Sequence, residues 1–126
     1  MSRNCEINFT KSNCKQIDIG NFWTVSISST TTEDDVTTPE DYTNITLDGC
    51  VSSSPSNISL TEQPSDNVTG LYKIDANNFS LNLDISTTTS VNSGSYPFAI
   101  YGTPIDGKRY TIISGTMQFN KAPNCP

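Results

Sequence analysis

Cys5, Cys14, Cys50 and Cys125 are the only thiols in the sequence. Their spacing gives neither the short paired arrangement of a zinc site nor a redox C-x-x-C motif, which leaves free thiols or disulfides. A reducing cytosol keeps thiols free, whereas an oxidising compartment would select among three full pairings. Cys5 and Cys125 lie close to the chain ends and would meet in a sandwich whose first and last strands are neighbours, so they are the candidate disulfide pair. Histidine is absent. The commonest general base and transition-metal ligand are therefore missing, and a Ser-His-Asp triad cannot be built. A glycosidase needs only two carboxylates, but the densest acidic group, Glu33, Asp34 and Asp35, falls in a predicted loop with no aromatic sugar platform beside it. Its spacing matches no EF-hand loop, and no glycine-rich phosphate loop occurs. The expectation is a protein without catalytic residues, cofactor or metal.

Asn-x-Ser/Thr triplets occur at Asn8, Asn44, Asn57, Asn67 and Asn78. Random order in a chain so rich in Asn, Ser and Thr gives about three or four such triplets, so they are read as a by-product of composition. The runs Thr30-Thr31-Thr32 and Thr87-Thr88-Thr89 do not recur at a fixed spacing. They are read as solvent-facing positions of a β-protein, where Thr suits the pleated surface, and not as an ice-binding ladder or a mucin-like stalk.

The elements that must carry these residues are strands. A length of 126 residues suits one domain over 1–126. An apolar share of 33% implies a thin core sheathed in short polar side chains. In Asn78-Phe79-Ser80-Leu81-Asn82-Leu83-Asp84-Ile85 the apolar residues share one face and the polar ones the other. Trp23, Val25 and Ile27 alternate in the same way, and Ile45 with Leu47 and Ile58 with Leu60 give shorter versions. Tyr96 to Ile113 reads as a hairpin, with Pro104 and Asp106-Gly107 in its connection. The apolar phase then shifts, which predicts a β-bulge around Ser114-Gly115, and Pro97 predicts an edge position or a bulge. No amphipathic helix of ten or more residues appears, so less than about a tenth of the chain is expected in helix. The reading is an all-β antiparallel sandwich of roughly seven to nine strands, with a small barrel as the alternative. Trp23, Val25, Phe79, Leu81, Leu83, Ile85, Phe98 and Ile112 are the expected core members.

Segment 29–41 carries five acids, Glu33, Asp34, Asp35, Glu40 and Asp41, without apolar periodicity, and is expected as an exposed acidic loop. At the other end, Pro123 and Pro126 keep 121–126 from continuing as a central strand. Lys121, Ala122, Pro123 and Asn124 of this C-terminal tail are therefore candidates for contact with another subunit. The net charge of -6 gives no attraction to phosphate backbones or anionic lipid, so neither nucleic acid nor a membrane is an expected partner. No signal-peptide-like or membrane-spanning run is present, and a soluble protein that stays in the producing cell is expected.

The run Ile74-Asp75-Ala76-Asn77-Asn78-Phe79-Ser80-Leu81-Asn82-Leu83 is followed by Ser93-Gly94-Ser95-Tyr96-Pro97-Phe98-Ala99-Ile100. After it comes Asp106-Gly107-Lys108-Arg109-Tyr110-Thr111-Ile112-Ile113-Ser114-Gly115-Thr116-Met117. In order and spacing this half of the chain resembles the immunoglobulin-like modules of tailed-bacteriophage virion proteins, above all the N-terminal domain type of baseplate upper proteins. A fainter echo lies at Asn44-Ile45-Thr46-Leu47-Asp48-Gly49-Cys50. The resemblance implies an immunoglobulin-like sandwich in a non-enzymatic virion structural protein, a tail or baseplate assembly module made in the host cytoplasm. Such a module is present in several copies or as a homo-oligomer and contacts other virion proteins. A capsid decoration protein of the phage head is the close alternative, and a secreted or surface-displayed adhesin-like recognition domain is the alternative from another class.

Overall fold

The computed structural model describes residues 2–9 and 16–121. Its strands are β1 (Ser2–Phe9), β2 (Gln16–Ile19), β3 (Trp23–Glu33), β4 (Val36–Pro39), β5 (Ile45–Val51), β6 (Ile58–Thr61), β7 (Gly70–Lys73), β8 (Phe79–Leu83), β9 (Gly94–Pro104) and β10 (Tyr110–Lys121). One short helix, α1 (Ile85–Thr89), lies between β8 and β9. They build two five-stranded sheets, β1-β3-β8-β7 with β4 beside β3, and β2-β10-β9-β5-β6. All ladders are antiparallel except β2 with β10. The fold is an all-β sandwich in which β1, β3, β8 and β7 take the places of immunoglobulin strands A, B, E and D. In the second sheet β10, β9, β5 and β6 take those of G, F, C and C′. The strand count exceeds the expected seven to nine because β4 comes from a segment read as a loop.

The alternation read from the sequence is what closes this core. On β3, Trp23, Val25 and Ile27 are buried while Thr24 and Ser26 are partly exposed, and across the register Val25 meets Leu81 and Ile27 meets Phe79. Leu47, Leu60, Ile100, Met117 and Phe119 supply the facing layer from the second sheet. Seven of the eight expected core residues are buried, and Ile85 is the exception at 59% exposed. Its alternation is cut by the N-cap of α1: the Asp84 carboxylate accepts from the Thr87 backbone N–H at 2.8 Å. That cap turns the chain out of the strand.

Entry into β9 rests on Tyr96, whose hydroxyl donates to the Asn92 carbonyl at 2.7 Å, the tyrosine corner of this class of sandwich. Gly94 sits at φ 154°, and a side chain there would come within 3.1 Å of the Tyr96 hydroxyl. Two local expectations are corrected. The bulge in β10 falls between Thr111 and Ile113, not at Ser114-Gly115, and it lets Ile112 turn inward to a buried position. Pro97 lies in β9 between two neighbouring strands, not at an edge. The Ser52 N–H donates to the Pro97 carbonyl at 2.9 Å, one residue past the last β5–β9 pair, Val51 with Phe98. The missing proline N–H therefore removes a single return bond at the end of a ladder.

Candidate interaction surface

Segment 29–41, expected as a loop, is instead largely a β-hairpin. Thr30, Thr31 and Thr32 extend β3, and Thr37 and Thr38 pair with them from β4. Asp34 and Asp35 make the two-residue turn with φ of 52° and 63°. Positive φ at both central residues is the mark of a type I′ hairpin, and Asp tolerates it better than most side chains. Threonines keep the backbone extended without apolar alternation, and the Thr32 and Thr37 hydroxyls meet at 3.0 Å.

The root of the hairpin is fastened by a buried polar group. Ser29 is 1% exposed and Tyr42 is fully buried. The Ser29 hydroxyl donates to Glu40 Oε2 at 2.7 Å and also meets the Tyr42 hydroxyl. Because the serine proton goes to the carboxylate, the tyrosine is the donor to Ser29. The Tyr42 ring stands edge-on to Phe79 with centroids 5.1 Å apart, and its backbone N–H donates to Ala76 O at 2.7 Å. Asn77 Nδ2 donates to Glu40 O at 3.0 Å. The 74–78 turn and the 40–42 segment therefore form one seat under the hairpin. Nothing in the apolar pattern of 29–43 marks Tyr42, although a lone aromatic inside an acidic stretch is a usable signal of a buried anchor.

Charges around this end are tied to the backbone. Asp41 accepts from the Thr43 N–H and Asp75 from the Asn77 N–H, both at 2.8 Å. Hydrogen bonds from Thr43 and from Asn77, respectively, hold both carboxyls below their usual range. Lys73 reaches Glu62 at 3.3 Å and donates to the Ile45 carbonyl at 2.7 Å. Glu62 Oε2 in turn accepts from the Leu47 N–H at 3.0 Å, which joins the two sheets where the chain crosses from β6 to β7. Arg109 pairs with Asp48 at 2.8 Å and lies 3.6 Å from the Tyr101 ring centre.

The other candidate residues lie apart from this end. Lys121 is the last residue of β10 and pairs with Ile19, so it belongs to the sheet and not to a tail. Ala122, Pro123, Asn124 and Cys125 lie outside the described residues. Cys5 stands opposite Ser29 in the β1–β3 register, and the Cys5–Cys125 pairing therefore also falls outside what is described. Cys50 is a free, half-buried thiol on β5, in register with Ser59 and Ala99. Among the described residues no three metal-ligating side chains stand together, and no helix is long and apolar enough to cross a membrane. No family model matches the chain, and no curated protein sequence matches it.

Proposed function

We propose that this chain is a non-enzymatic structural module of a bacteriophage particle, working in the tail or baseplate through contacts with other virion proteins. What supports this is where the residues that carry the resemblance sit in the sandwich. Ser93-Gly94-Ser95-Tyr96 forms the corner into β9, Asp106-Gly107-Lys108-Arg109 connects β9 to β10, and Phe79 to Leu83 is β8. The Tyr96 corner at the start of β9 is a feature of immunoglobulin-type sandwiches, and it is the observation that favours the reading. A thin-cored sandwich with mostly hydroxyl-bearing outer faces has little to offer a small-molecule substrate, and its function then lies in surface complementarity.

The test is protein mass spectrometry of purified particles separated into heads and tails. The chain is expected in the tail fraction in several copies per particle. Recovery with heads alone would replace this reading with capsid decoration. Absence from particles, together with a processed leader on natively produced protein, would replace it with a surface-displayed recognition domain.

A further inference from the structure

Past its last pair with β8, Ile27 with Phe79, β3 runs on to Glu33, flanked by β1 on one side and β4 on the other. The second sheet stops at the pair Ile45–Pro104. From Thr30 to Glu33 the first sheet therefore projects roughly 13 Å at strand spacing. Thr31 and Glu33 continue the inward row of Trp23, Val25, Ile27 and Ser29, and Thr38 and Val36 share their face by register. Among the described residues this face lacks the sheet that covers the rest of the row. Val36 is 62% exposed, and Glu33 and Thr38 are exposed. The outer flank of β4 ends in Pro39, which blunts strand addition there, so the face and not the edge is the docking element.

Charge selects the occupant. Between Lys15 and Lys73 the chain has no lysine or arginine. Lys73 and Arg109 are engaged with Glu62 and Asp48, and among the described residues Arg3 is the one base whose backbone lies in register with the projecting end, opposite Thr31. A second copy laid face to face would set Glu33, Asp34 and Asp35 against themselves, and like-charge juxtaposition rejects that pairing. We propose that the inward face formed by Thr31, Glu33, Val36 and Thr38 docks a lysine- or arginine-bearing surface of a different protein. Val36 is covered at the centre, and the Glu33, Asp34 and Asp35 carboxylates pair with the partner's bases at the rim. This rests on the reading of the chain as a virion assembly module and names the chemistry of its partner.

The experiment assembles particles with variants in place of the native chain. E33Q/D34N/D35N removes three charges while Asn keeps the positive φ of the turn, and V36K places a base at the centre of the face. Each is expected to lower incorporation about tenfold or more, with the thermal midpoint of the isolated domain unchanged. In native particles a carbodiimide, which joins carboxylates to amines in ion-pair contact, is expected to link Glu33, Asp34 or Asp35 to lysines of another protein. Normal incorporation of both variants, or links only to Lys108 or Lys121 of a second copy, overturns the inference and leaves the assembly reading standing. Absence of the chain from native particles overturns both.

Discussion

The two halves of β3 share one backbone geometry and differ in almost everything else. From Trp23 to Ile27 the strand pairs with β8 throughout and with β1 from Val25 onward, lies under the second sheet, and has every other side chain apolar and buried. From Thr30 to Glu33 it pairs with β4 throughout and with β1 as far as Thr32, yet among the described residues no facing sheet covers it, and its side chains are threonines and an acid. Apolar alternation therefore reports burial, not extension. Strand formation in the upper half comes from β-branched residues and a turn that accepts positive φ. The lower half is where stability should reside, and the upper half is where a substitution should be felt by a partner more than by the fold.

The sharpest contrast is energetic. Leu81→Ala, beside Val25 in the covered half, should cost about 2–5 kcal/mol by cavity formation. Chemical unfolding would check it, and a cost under about 1 kcal/mol would mean that the covered half is not the core. Gly49→Ala should follow at about 1–3 kcal/mol through overpacking, because the added methyl would lie 2.6 Å from the Ala99 carbonyl oxygen. Thermal melts of the pair of glycine variants Gly49→Ala and Gly20→Ala would separate crowding from backbone strain, since a Cβ at Gly20 meets nothing within 4 Å although its φ is 92°. Asp84→Ala should cost about 1 kcal/mol as a lost N-cap, with the loss confined to α1 and its neighbours in amide exchange.

The Asp84 carboxyl is held below its usual value chiefly by the hydrogen bond from the Thr87 N–H. With the folded pKa depressed, its contribution is fully present above the unfolded value, about pH 4, and is lost as pH falls through the folded one. The acid-induced drop in stability should therefore shrink in Asp84→Ala. Thr37→Ala on the projecting hairpin should be smallest, within about 0.5 kcal/mol. A larger effect would mean that the hairpin helps hold the sandwich together.

Much of the covered half was legible. Phe79, Leu81 and Leu83, and Trp23, Val25 and Ile27, all announce a buried face by alternation. What escaped did so for identifiable reasons. The β3–β4 hairpin has no apolar rhythm because, among the described residues, no sheet faces it. Ile85 keeps the strand's phase in sequence while the Asp84 cap ends the strand in space. The parallel pairing of β2 with β10 joins residues about a hundred positions apart, which no local pattern encodes. Tyr42 is buried by a tertiary network with Ser29 and Phe79 that its acidic neighbours disguise.

The most direct test of this division of labour is hydrogen exchange by mass spectrometry on the isolated chain and on the chain within assembled particles. In isolation, amides of 23–27 and 79–83 should exchange only through global unfolding, whereas those of 30–39 should open locally and exchange faster. Within particles the 30–39 amides should slow markedly while the others barely change. Equal protection of both halves in the isolated chain, or no gain at 30–39 on assembly, would contradict the account.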